Sequence, residues 1–151
     1  MGRLFDAAAA LAGVRQSVNY EAQAAIEFEA LADSSEGGKY LFEWNQDRIQ
    51  VRSAVEALIK DTLAGVFIQK ISARFHNGLA HVCRVASVGV RDRFGVNEVV
   101  LSGGVWQNVT LLSRTLPLLE NEGFKVYIHR QVPTNDGGLS LGQSIIAASQ
   151  M

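Results

Sequence analysis

The stretch VVLSGGVWQN, residues 99–108, decides how this chain reads. Residues 98–101 are too short and too uniformly apolar for a surface element, which predicts a buried, parallel strand. The run ends in Ser102-Gly103-Gly104, and helical spacing resumes at once. Val105, Val109, Leu112, Leu116 and Leu119 fall on one face of a predicted helix over residues 105–122, with a bend near Ser113 because Pro117 lacks a backbone donor. Two adjacent glycines at a strand-to-helix handover have two readings. They make a tight turn, or they let a ligand approach backbone amides and the positive end of a helix dipole, where phosphate or ribose oxygens bind well. On composition alone the two weigh equally. Asn108, one turn into the helix, is correspondingly either a ligand contact or inert. A Walker A loop is excluded, because no GxxxxGK[ST] is present.

The pattern repeats further along. Gly123 stops the helix, residues 125–129 read as a second strand, and residues 137–149 as a final helix. Pro133-Thr-Asn-Asp-Gly-Gly138 joins them, so both glycine turns point to one sheet edge, where α/β proteins usually place ligands. Asp136 offers a hard oxygen for a metal or a general base. A plain helix cap by Asn135 or Asp136 is the commoner use of such residues, and taken alone it is favoured.

The N-terminal half is mostly helix. Residues 4–11 form an alanine-rich helix closed by Gly13, and Ser17 or Asn19 caps a second over residues 20–32, with Ala24, Ile26, Phe28 and Leu31 as apolar surface. Residues 33–38 read as a loop. Residues 39–51 read as a hairpin whose two short runs are separated by Asn45-Gln46-Asp47. Ser53 caps a helix over residues 54–60. A long helix over residues 64–94 carries Phe67, Ile71, Phe75, Leu79 and Val82 as a broad stripe, and Gly95 ends it.

The expected class is a helix-rich α/β domain with a small, mostly parallel sheet, occupying residues 1–151 as a single unit. Two strands are few for such a length, and helical spacing begins by the third residue; both features suit a piece of something longer. A formal net charge of −1 argues against a nucleic-acid platform. No apolar run reaches membrane-spanning length and no signal-peptide pattern opens the chain, so a cytoplasmic location is expected. Cys83 is single and lies among apolar neighbours, as a core packing residue does. His76 and His81, five apart, do not face one another on a helix, and His129 stands alone at a strand end. All three histidines read as structural or solvent-exposed, and no Ser–His–Asp or Cys–His constellation is visible. Glu21, Glu27 and Glu29 read as a solvated helix face. Asp6 is less ordinary, since it lies in the first turn of an otherwise apolar helix.

Five segments, GRLFDAAAALAGV (2–14), NYEAQAAIEFEALA (19–32), RFHNGLA (74–80), LSGGVWQN (101–108) and HRQVPTNDGGLSLGQ (129–143), occur in order and at fitting distances. Together they resemble the C-terminal part of the hydrogenase maturation carbamoyltransferases, the HypF family. The resemblance covers essentially the whole chain. It implies the second lobe of a threonylcarbamoyl-transferase-like domain of the actin/Hsp70/sugar-kinase superfold, with the first lobe and the other domains lying outside this chain. It also implies a reaction in which carbamoyl phosphate and ATP give carbamoyl-adenylate. The carbamoyl group then passes to the C-terminal cysteine of a partner protein, HypE, and dehydration supplies cyanide ligands to [NiFe]-hydrogenase. By resemblance, Gly103, Gly104 and Asn108 match the segment holding the adenylate, with Asn135 beside them, and Gly2 and Asp6 match the nucleotide's other side. Asp136 matches a ligand of a divalent metal, iron or zinc, acting as a Lewis acid. The family's His-x-x-x-His ligands belong to the preceding lobe, so metal affinity here is expected to be weak or absent. Where the family has Tyr-Glu-Gly-Gln, this chain has Tyr20-Glu-Ala22-Gln. The expected partners are a HypE-like acceptor and the missing lobe or a second copy, with no nucleic acid or membrane. The alternative is a non-catalytic interaction or nucleotide-sensing module of the same superfold.

Overall fold

A computed structural model describes residues 1–45 and 48–150. In chain order it contains α1 (Gly2–Leu11), α2 (Gln23–Ala30), β1 (Glu43–Trp44), β2 (Ile49–Gln50), α3 (Arg52–Leu63), α4 (Ile68–Phe94), β3 (Glu98–Leu101), α5 (Val109–Asn121), β4 (Lys125–Ile128) and α6 (Leu139–Ser149). Single 3-10 turns, Gly104–Gln107 and Asp136–Gly138, lie just before α5 and α6. The architecture is helix-rich with a small parallel sheet, as the sequence patterns predict. β3 and β4 pair in parallel with Leu101 opposite Ile128, and β1 and β2 pair antiparallel with Trp44 opposite Ile49. Gln46 and Asp47 of the expected hairpin turn lie outside the described residues.

The main core gathers around α4. Phe5, Phe28, Ile71, Phe75, Leu79, Val82 and Leu111 are all buried there, joined by Tyr40 and Phe42 from an extended segment. That segment runs against the helix because Gly78 has no side chain: a Cβ there would strike the Tyr40 carbonyl oxygen and the Phe42 ring. Gly89 admits the Trp44 ring in the same way. A smaller cluster of Leu101, Leu119 and Phe124 lies between the parallel sheet and α5, and Trp106 packs on both clusters.

Several sequence expectations are corrected. α1 ends as expected, with Gly13 at φ +78° and the Val14 amide bonded back to the Ala9 carbonyl. α2 begins later than expected and without a Ser17 or Asn19 cap, because Ala22 adopts φ +61° and breaks the helical run. Ser53 does not cap α3; its hydroxyl donates to Glu43 instead, at 2.7 Å. α3 extends to Leu63, and Gly65 at φ +72° separates it from α4, so the helix expected from residue 64 starts at Ile68. β3 is not buried on both faces: Leu101 is covered, but Val100 is 66% exposed. α5 runs through Pro117, leaving the Ser113 carbonyl without its ladder donor. α6 has no buried residue.

Candidate functional site

The C-terminal ends of β3 and β4 bring the two glycine turns together. The Gly103 amide donates to the Thr134 carbonyl at 2.9 Å, and the Thr134 hydroxyl donates back to the Gly103 carbonyl at 3.1 Å. A Cβ at Gly104 would lie 3.7 Å from the Cβ of Asn135. Just before these turns, the Ser102 hydroxyl and His129 Nε2 meet at 2.9 Å, a pairing across 27 residues that the sequence alone did not reveal. Gly103, Gly104, Asn135 and Asp136 therefore share one exposed edge.

The two glycines do different things. Gly103 has φ +98°, a conformation that L side chains rarely adopt, so the fold itself requires glycine there. Gly104 lies outside the left-handed region and meets only Asn135 Cβ within 4 Å. Neither backbone nor packing demands that it be glycine. It opens a 3-10 turn, and the amides of Gly104 and Val105 have no acceptor among the described residues, as the first donors of a helical turn do not.

The anion site expected at the start of α5 is altered by that turn. α5 starts only at Val109, and its first amides are already engaged. Asn108 Oδ1 accepts from the Leu111 amide at 2.6 Å, and Glu29 Oε1 accepts from the Thr110 amide at 2.9 Å. Glu29 is thus an interhelical cap whose carboxylate complements the helix dipole, not part of a solvated face. Glu27 is engaged too, holding Arg15 at 2.6 Å. The donors left at the edge belong to the 3-10 turn.

Behind the edge lies a residue that sequence reasoning set aside. His76 is fully buried, with Phe5 and Phe28 ring centroids at 5.2 and 5.9 Å. Its Nδ1 is 2.8 Å from the Ser72 carbonyl and its Nε2 is 3.0 Å from Asn108 Nδ2. Burial pushes its pKa down to about 4, so the ring is neutral at pH 7. No local pattern announces the 32-residue separation of His76 and Asn108; a buried polar ring on an apolar stripe is the only signal. Cys83 offers no ready nucleophile, since burial pushes its thiol up to about 11.

The remaining candidates separate. Asn135 caps the 3-10 turn, its Oδ1 accepting from the Gly137 amide at 3.1 Å, whereas α6, the helix that the plainer reading has it cap, follows Gly138 without a side-chain cap. Asp136 is exposed at the start of the same turn, and among the described residues no group of three His, Cys, Asp or Glu side chains gathers to hold a metal. One carboxylate does not fit a three- or four-ligand divalent site. Gly2 and Asp6 lie on α1; Asp6 lines a second concavity with Arg15, Gln16, Glu21 and Ala22, and makes no described hydrogen bond to either turn. No helix among the described residues is long and apolar enough to cross a membrane.

Comparison with known proteins points to one family. The family described as "Carbamoyltransferase, Kae1-like Domain, second subdomain" matches residues 1–143. Carbamoyltransferase HypF of Synechocystis is 32% identical over 95% of this chain and 18% of its own length. That of Rhizobium leguminosarum is 35% identical over 97% of this chain and 19% of its own. A crystal structure of full-length HypF in a phosphate- and nucleotide-bound form superposes with a TM-score of 0.91 at 44% identity, covering 97% of this chain and 20% of that one. A HypF structure from T. kodakarensis gives a TM-score of 0.85 at 26% identity over 97% of this chain and 19% of its own. The chain spans about one fifth of the length of these relatives.

Proposed function

The chain belongs to the HypF carbamoyltransferases, as the second subdomain of their Kae1-like domain with its actin/Hsp70/sugar-kinase-like fold, and we propose that it forms one wall of their nucleotide cleft. The observation that carries the proposal is Gly104. Its backbone does not need glycine and a Cβ there would meet only Asn135, at an ordinary 3.7 Å, yet it lies at the open end of the parallel sheet with its own amide and that of Val105 unengaged among the described residues. A phosphoryl or ribose oxygen approaching that turn finds donors without a Cβ in the way. The nucleotide-bound HypF relative of the same fold supports this reading. Asn135 holds the facing turn in shape, and Asp6 with Glu21 lines the concavity assigned to the nucleotide's other side.

In the whole enzyme this wall would hold carbamoyl-adenylate, made from carbamoyl phosphate and ATP, while the carbamoyl group passes to the C-terminal cysteine of HypE for cyanide-ligand synthesis. This chain's own part is binding and orientation: the glycine turn fixes the leaving nucleotide so that the carbamoyl carbon is presented to the incoming thiol. Calorimetric titration with AMP tests the proposal. Saturable binding that Gly104→Val abolishes supports it, whereas binding that the substitution leaves unchanged removes the turn from the site.

A second reading, an interaction module without chemistry, draws on α6, where Leu139, Leu141, Ile145 and Ile146 are each 46–60% exposed. A HypE-like acceptor, the first lobe or a second copy would cover that face. Light scattering discriminates: a monomer that binds AMP speaks for the cleft, and an AMP-inert oligomer for the module.

A further inference from the structure

We infer that Asn108 and His76 act as one positioning unit that sets the Gly103–Gly104 turn from behind, so that Asn108 serves a bound nucleotide without touching it. The inference deepens the nucleotide reading of that turn and rests on it. Both ends of the Asn108 side chain are occupied by protein. Its Oδ1 faces the Leu111 amide, and only an acceptor can sit there, which fixes the orientation of the amide group. Nδ2 must therefore point at His76, and His76 Nε2 must accept. A neutral imidazole accepts at Nε2 only if its proton is on Nδ1, and the Ser72 carbonyl receives that proton at 2.8 Å. Cap, amide orientation and tautomer thus determine one another.

Residue choice follows from this. Ser, Asp and Asn all cap helices well, but an Asp carboxylate has no donor and a Ser hydroxyl puts acceptor and donor on one shorter atom, whereas Asn carries them on separate atoms that meet Leu111 and the neutral ring at once. The backbone of Asn108 closes the 3-10 turn as well, its amide donating to the Val105 carbonyl at 3.1 Å while its own carbonyl accepts from Leu112 at 3.0 Å. Rotating Asn108 therefore moves the turn that Gly104 begins. His76 is fully buried between Phe5 and Phe28, so it never meets ligand and works only through Asn108.

The test combines AMP calorimetry on the wild type, N108S, H76F and the double variant with NMR of the ligand-free protein. N108S keeps a cap for Leu111 but its hydroxyl, on a side chain shorter than the Asn amide, does not span the distance to His76 Nε2, and H76F keeps an aromatic ring in the buried cluster. Each single variant is expected to weaken AMP binding about tenfold and the double by no more, because coupled groups are not additive. In ligand-free protein both variants should shift the Gly103, Gly104 and Val105 amide resonances, and wild-type His76 should show a proton on Nδ1 alone. A roughly hundredfold loss in the double variant overturns the inference, as do unmoved turn amides or a proton on Nε2. Neither the N108S arm nor the ring measurement depends on the fold of H76F. A wild type that binds no AMP refutes the nucleotide reading itself, and the ligand-free resonances then decide the coupling separately.

Discussion

Replacing Ala22 with glycine should stabilise this protein. Ala22 is the one non-glycine residue at positive φ among the described residues, at φ +61° and ψ 8°, where it leads into α2. The left-handed conformation costs an L residue roughly 1–2 kcal/mol through the contact of Cβ with the carbonyl oxygen. Glycine removes that contact but enlarges the freedom of the unfolded chain, which costs about 0.4–1 kcal/mol. The Ala22 side chain is exposed, so little packing is lost. The balance is a gain of about 0.5–1 kcal/mol, or about 2–3 °C in Tm for a chain of this size. Urea denaturation at constant m-value measures it. Ala7→Gly, on the exposed face of α1, is the control of opposite sign, with an expected loss of about 1 kcal/mol. If Ala22→Gly destabilises to the same degree as Ala7→Gly, the argument from strain is wrong.

Acidification tests His76. Its folded pKa of about 4 lies below the ordinary 6.5, so the unfolded chain takes up the proton first. The stability it contributes is complete above about pH 6.5 and is lost as pH falls towards 4, by about 3 kcal/mol in all; burial shifts His81 in the same direction. Urea midpoints at pH 7.5 and 4.5 should differ accordingly, and equal midpoints would contradict a buried neutral ring. Gly78→Ala should cost about 2–3 kcal/mol in the same assay, since its methyl would displace the Tyr40 carbonyl and the Phe42 ring from α4; a loss below about 0.5 kcal/mol would show that the segment is not fixed there. Gly104→Ala should leave Tm within about 1 °C while weakening AMP, separating it from Gly103→Ala, which should also destabilise because of φ +98°.

Periodicity read the large elements well, because they are long and one-faced. The α4 stripe of Ile71, Phe75, Leu79 and Val82 is the core, and the two short apolar runs are the parallel strands. Element starts read poorly. α2 looked like a helix from Tyr20 because propensity does not register the backbone reversal at Ala22, although the resemblance already marked that position as one where the family has glycine. α5 looked continuous from Val105 because a 3-10 turn carries the same local spacing, and the cap that separates the two is visible only once Leu111 and His76 are in place. The site divides in the same way. Glycine turns are written locally, so Gly103 and Gly104 could be found. Glu29, His76, Thr134 and the Ser102–His129 pair act across tens of residues and become legible only when the fold joins them.

Amide-resolved NMR titration with AMP shows whether the two glycine turns form one nucleotide-binding edge. A shared edge gives saturable shifts at Gly103, Gly104 and Val105 together with Asn135 to Gly138, all following one affinity and all lost in Gly104→Val. Shifts confined to other surfaces, or a titration that leaves both turns unmoved, would contradict it.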